Sequence, residues 1–276
     1  MQLLLDGLAF AEAPRWHAGA LWFSDFYTRR VRRLDPASGA VHDVCEVAGQ
    51  PSGLGWLPDG RLLVVSMTER RVLRLEPDGA LAVHADLAAL ASFHCNDMAV
   101  DAAGRAWVGN FGYDLLAKAP TAPAELILVL PDGRARVVAR DLMFPNGAVV
   151  TPDARTLVIA ETGAKRLSAF DIAADGSLSK RRVWADLGAL RPDGICLDAG
   201  GAIWCATLRA KACVRVREGG AVQERIDTAD TCIACALGGE DGRTLFVLTG
   251  EVTDAATALA LRRSRIWATR VGVPAA

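Results

Sequence analysis

A chain of 276 residues with 51% hydrophobic and 23% charged residues is long enough to bury a large core, and we take 1–276 as one domain. Its formal net charge of −1 leaves no basic excess, which argues against nucleic acid and against an anionic membrane surface as partners. The opening MQLLLDGLAFAEAPRW lacks a cationic start and meets Asp6 after three leucines, so neither a signal peptide nor a membrane span is expected. The odd count of seven cysteines predicts reduced thiols in a cytoplasmic setting.

Along the chain, short hydrophobic runs alternate with turn residues, a pattern of strands. The first is EAPRWHAGALWFSD from Glu12, followed by SGLGWLPDGRLLVVS from Ser52. The stretch 85–91, ADLAALA, is a candidate short helix linking elements. Then come NDMAVDAAGRAWVGN from Asn96, NGAVVTPDARTLVIA from Asn146 and DGICLDAGGAIWCA from Asp193. A weaker copy, CIACALGGEDGRTLFVL, starts at Cys232, and TDAATALALRR at 253–263 reads as a helical insertion. Copies recur every ~40–50 residues, the period of four-stranded propeller blades. The fold class is therefore all-β, a six-bladed β-propeller with a central channel. The N-terminal QLLL is expected to complete the last blade beside residues 264–270. Cys232 and Cys235 form a C-x-x-C without a second pair or a βαβ context, and are expected to be ordinary buried thiols.

Asp-Gly and Asn-Gly pairs usually mark turns. Here the turn slot is filled elsewhere. It lies eight residues after each start: Gly60 after Ser52, Gly104 after Asn96, Ala154 after Asn146, Gly201 after Asp193. Asn146-Gly147 and Asp193-Gly194 thus occupy another slot, which opens the innermost strand of a blade. Equivalent openings converge at one end of the channel. The converging set is Glu12, Ser52, Asn96, Asn146, Asp193 and a residue near Cys232; Glu12 fits only with a one-residue irregularity. Two carboxylates and two amides give an all-oxygen set of charge −2, suited to one divalent ion: Ca²⁺, Mg²⁺ or Mn²⁺, with Zn²⁺ less favoured. Phe144 and Met98 flank the slot as candidate apolar wall. Asp97 is expected to anchor backbone, and Asp25 to accept a bond within its blade. Glu161 and Thr162 fit a structural role at least as well as a pocket role. The tryptophans at 16, 22, 56, 107 and 204 are expected to pack the blades.

The segments EAPRW, NDMAVDAAGRAWVG, FPNGAVVTPDARTLVIAET and RPDGICLDAGGAIWCA resemble the signatures of the SMP-30/gluconolactonase/LRE-like (regucalcin-like) family, over essentially the whole chain. The resemblance implies a six-bladed propeller with one divalent metal in its channel, held at Glu12, Asn146 and Asp193. It places Asn96 on the substrate side. Many members hydrolyse lactones, and relatives of similar architecture cleave organophosphates or aryl esters. This chain has His94 where sugar-lactone members tend to have arginine, and Ala13 where glycine is usual. The metal set is intact; a simple aldonolactone substrate is put in doubt.

These observations predict a metal-dependent hydrolase, a lactonase acting on a small lactone or ester. The cation would polarise the carbonyl, and Asp193 would act as general base or as nucleophile. Asn96, His94, Phe144 and Met98 would face the substrate. The alternatives are a non-catalytic Ca²⁺-binding regulator or a phosphotriesterase or aryl esterase of the same architecture.

Overall fold

A computed structural model describes residues 1–115 and 117–276. The strands form six antiparallel sheets of four. Blades 1 to 5 cover residues 11–46, 51–86, 95–142, 145–186 and 191–227. Blade 6 combines Thr231–Gly238, Thr244–Gly250 and Ser264–Arg270 with the N-terminal strand Gln2–Leu8. Gln2 pairs with Ala268 and Leu8 with Ser264, so the two ends of the chain close the ring. The protein is an all-β, six-bladed propeller, as the repeat predicts.

Six apolar clusters hold it together, one at each blade interface. A four-stranded blade has two apolar faces, and each is covered only by its neighbour. Leu63, Val65 and Val72 of blade 2 meet Val108, Ile127 and Val129 of blade 3. Trp107 and Trp204 are wholly buried, and Trp16 stacks on Phe246 at 5.5 Å between blades 1 and 6. Cys232 and Cys235 are buried free thiols in the interface of blades 5 and 6.

The turns sit where the spacing puts them. Gly60, Gly104 and Gly201 have φ of 85°, 77° and 74°, and Ala154 takes the same left-handed place at 55°. In each turn an aspartate one or three residues earlier accepts a backbone bond: Asp59 from Arg61, Asp101 from Ala103, Asp153 from Arg155, Asp198 from Gly200. Blade 1 differs. His17 pairs directly with Ala20, leaving a two-residue turn at Ala18 (φ 48°) and Gly19 (φ 77°). That hairpin is one residue shorter, which accounts for the irregularity at Glu12.

The stretch 85–91 is not a helix. Ala85 and Asp86 finish the outer strand Leu81–Asp86 by pairing with Val72 and Arg71, and a turn follows. Sheet pairing outcompetes the weak helical preference of so short a segment. The insertion does contain a helix, Ala255–Leu261, capped by Asp254 accepting from Thr257. Among the described residues no helix is long and apolar enough to cross a membrane.

Every innermost strand carries a register shift just after its opening: Glu12/Arg15, Pro51/Leu54, Cys95/Met98, Pro145/Ala148, Pro192/Ile195 and Cys232/Ala234. Such a bulge breaks strand alternation and re-aims the side chains around it.

Candidate functional site

The bulges bring the slot residues to one end of the channel. The residues opposite Ala11, Pro51, Cys95, Pro145, Pro192 and Cys232 are Asp25, Ser66, Asn110, Glu161, Thr207 and Thr249. All six are buried and polar. By this register Glu12, Ser52, Asn96, Asn146 and Asp193 are equivalent, and the sixth member is the buried, apolar Ile233. The ring of second-strand polar residues anchors the loops behind them. Asp25 accepts from Phe10 N at 3.0 Å, and Asn110 donates to Glu125 O at 2.9 Å. Glu161 accepts from Met143 N, Arg166, Ser168 and Arg181. Burial alone would raise the Glu161 pKa, but those bonds outweigh it and hold the carboxyl below its usual range. Asp25 and Glu161 are thus structural.

The glycines after the slot have a definite purpose. A Cβ on Gly194 would lie 2.6 Å from Ala234 Cβ, and one on Gly147 would lie 2.6 Å from Ile195 N. Neither has a positive φ. The Asn-Gly and Asp-Gly pairs therefore make no turn; the missing side chain lets adjacent inner strands crowd around the axis. Blade 1 has Ala13 here, at φ 47°.

A cavity of about 290 Å³ lies over this end of the channel. Glu12, Ser52, Asn96, Asn146 and Asp193 line it, with His94 and Phe144. The rest of the wall is largely aromatic. Phe10, Phe26 and Tyr27 cluster on the blade 1 side, with Phe26 and Tyr27 centroids 4.6 Å apart. Phe111 stacks on Phe144 at 4.6 Å on the opposite side. His94 stacks on Phe93 at 4.1 Å, and burial lowers its pKa, so the ring is neutral at neutral pH. The helical insertion roofs the cavity through Val252, Thr253 and Ala255, and Tyr27 donates to Thr253 O at 2.7 Å.

Met98 is not part of this wall. Strand alternation from Asn96 would put it there, but the bulge between Cys95 and Met98 turns it into the core of blades 2 and 3. Asp97 accepts from Met98 N at 2.8 Å and from Arg15 Nη2 at 2.6 Å, and Arg15 also donates to Met98 O. This pair lies beneath the slot residues and separates them from a second cavity, at the far mouth, lined by Arg15 and the C-terminal Ala275 and Ala276.

The polar floor consists of oxygen atoms. Asp193 is buried, and its Oδ1 has no hydrogen-bond partner. Asn96 donates its Nδ2 to Pro145 O at 3.3 Å, a carbonyl that can only accept, so its Oδ1 is the free atom. Thr162 donates its hydroxyl to Pro192 O at 2.7 Å and can only accept from Asn146, which fixes the Asn146 amide with Nδ2 toward Thr162 at 3.2 Å. Its oxygen is freed in the same way. Thr162 therefore positions a site residue. Glu12 accepts from Ala13 N through Oε2 at 3.0 Å. It is half-buried, with its exposed part facing the cavity. Burial, then the neighbouring Asp193, push the Glu12 pKa well up. Burial, then Cys232 and Asp97, do the same to Asp193. An uncompensated pair of enclosed carboxylates is costly. Among the described residues no group of three or more His, Cys, Asp or Glu side chains is arranged to hold a metal, so any cation here would rely on the two amide oxygens.

The profile of the SMP-30/Gluconolactonase/LRE-like region matches residues 10–251, which include all five polar slot residues and the cavity's aromatic wall. The chain belongs to this family. It is 28% identical over 273 residues to a 6-deoxy-6-sulfogluconolactonase of Pseudomonas putida, covering 95% of this chain and 91% of the relative. It is 29% identical over 244 residues to the pentonolactonase XacC of Haloferax volcanii, covering 86% and 80%. The crystal structure of the calcium-binding protein regucalcin from Agrobacterium tumefaciens superposes with a TM-score of 0.83 at 24% identity, over 100% of this chain and 95% of that one. That likeness concerns the fold.

The aromatic residues Phe10, Phe26, Tyr27 and Phe111 are absent from the sequence-based site. They come from connections outside the strands, Phe26 and Tyr27 from a single 3-10 turn, and such segments carry no strand period.

Proposed function

We propose that the protein is a lactonase that requires one divalent cation, held by Glu12, Asn146 and Asp193 with Asn96 beside it. The observation that carries this is the floor of free oxygen atoms, including the orphaned Asp193 Oδ1, beneath a small aromatic cavity. Two enclosed carboxylates and two amide oxygens fit a hard cation of charge +2, which would relieve their repulsion. Two relatives named as lactonases, aligned over most of the chain, support the reaction class. When bound, the cation supplies Lewis-acid polarisation of the lactone carbonyl.

The chain's own residues do the rest. Phe10, Phe26, Phe111 and Phe144 enclose a compact ring and limit water around the carbonyl. Neutral His94 offers a hydrogen bond to a ring substituent. Asp193 takes the proton of the attacking water or attacks the carbonyl itself. Among the described residues no hydroxyl or thiol hydrogen-bonds the His94 ring, so no Ser–His or Cys–His pair is prepared for an acyl-enzyme route. The test is acid release from a panel of γ- and δ-lactones, aryl esters and a phosphotriester, with and without chelator. Chelator-sensitive lactone opening is expected. Turnover of the phosphotriester alone would transfer the site to that chemistry, and no turnover with Ca²⁺ binding retained would make the protein a regulator.

A further inference from the structure

Beside the channel cavity lies a larger one, of about 560 Å³, sharing Leu115, Phe144, Leu208 and Val252 with it. The shared residues make the two immediate neighbours, with the channel floor lining the first. Its wall carries Arg191, Arg209, Tyr113 and Thr231. Among the described residues none of these four side chains makes a hydrogen bond, and neither guanidinium pairs with a carboxylate, whereas most other arginines of blades 1 to 5 do one or the other. The one acidic residue on this wall, Glu251, is already paired with Arg263 at 3.1 Å.

The two arginines are held close together. Arg191 pairs with Leu208 across the ladder, and Arg209 follows Leu208. Opposed residues are about 5 Å apart in such a ladder, so the two arginines leave the backbone close to one another and line the same cavity, where two like charges without a carboxylate partner favour an anion. Arg191 is also two residues before Asp193 on the same innermost strand. An oxyanion here would thus lie a short reach from the reacting carbonyl.

We infer that the annex lined by Arg191 and Arg209 binds an anionic substituent of the substrate, making the preferred lactone one that carries a phosphate, sulfonate or carboxylate on an exocyclic carbon. This rests on the lactonase reading of the channel site and names its substrate class. Planar guanidiniums match such oxyanions with paired bonds, and the free hydroxyls of Tyr113 and Thr231 add donors. The ring occupies the channel cavity, and its charged arm extends past Phe144 into the annex.

The test uses matched δ-lactones that differ only at the exocyclic carbon: a hydroxymethyl, its phosphate ester, the corresponding sulfonate and the carboxylate. The ratio of kcat/KM for an anionic over the neutral lactone should exceed about 10 and fall at least 10-fold in Arg191→Gln and in Arg209→Gln. It should also fall with added salt, since a charge pair open to solvent is screened. Which anion gives the highest ratio identifies the group. A ratio near one, or one unchanged in both variants, overturns the inference while leaving the lactonase reading standing. If no lactone turns over, that reading fails. Calorimetry with the phosphate-bearing lactone then decides: binding lost in both variants sustains the annex, and no binding overturns it.

Discussion

Asp198 and Asp193 lie five residues apart, each near a glycine, yet the structure gives them opposite duties. Asp198 Oδ1 accepts from Gly200 N at 2.8 Å and from Ala202 N at 3.0 Å, holding the blade 5 turn. Its Oδ2 pairs with Arg215 Nε at 2.6 Å, with side-chain exposures of 0% and 8%. Replacing it with alanine leaves a buried guanidinium without its main partner and orphans a buried N–H. Breaking a buried pair from one side costs about 3–5 kcal/mol. Arg215 keeps Gln223 and Glu224, which favours the lower half of that range. For a chain of this size that corresponds to a fall in Tm of roughly 10 °C. Nothing at the channel floor changes. Thermal and urea melts of Asp198→Ala should show this loss, and calorimetric titration with Ca²⁺ or Mn²⁺ should give wild-type affinity. An affinity change above about 10-fold, with Tm unmoved, would refute the separation of turn from slot.

Gly194→Ala should cost about 1–3 kcal/mol, because the added Cβ meets Ala234 at 2.6 Å and the inner strands must part; an unchanged melt would contradict the crowding role. His94→Arg should move the kcat/KM ratio toward polyhydroxylated lactones by about 10-fold, the worth of one added polar contact, measured on a sugar lactone against an unsubstituted one. The raised pKa values of Glu12 and Asp193 fix a sign. Between the ordinary carboxylate pKa, about 4, and the raised ones, the folded metal-free protein binds more protons than the unfolded chain, so its stability falls as pH rises through that window. Cation binding displaces the same protons, so affinity should rise across it. Melts from acid to neutral pH, with and without Ca²⁺, check both trends.

The blade repeat was legible because each turn has a fixed chemistry, an aspartate that bonds the backbone and a left-handed residue at Gly60, Gly104, Ala154 or Gly201. The slot was legible because it stands at constant distance from those turns. Glu12 strayed only because the blade 1 hairpin is a two-residue turn. Met98 was misplaced because a bulge is invisible to period-two reasoning: Asn96 and Met98 look like same-face residues until the register shifts between them. The segment 85–91 failed because a few apolar residues have no period long enough to separate helix from strand. The aromatic wall and the Arg191–Arg209 annex stand at strand ends and in loops, and only the folded ring brings them to one side.

The proposed cation is held by Glu12, Asn146 and Asp193 of three different blades, with Asn96 of a fourth beside it, and serves to open a lactone. Protein stripped with chelator and then titrated with Ca²⁺, Mg²⁺, Mn²⁺ and Zn²⁺ tests it most directly, with bound ion per chain and acid release from a δ-lactone followed in the same samples. The prediction is one ion per chain, activity rising in step with occupancy, and both lost together in Asp193→Ala. Full activity without any ion, or an Asp193→Ala variant that binds and turns over like the wild type, would contradict it.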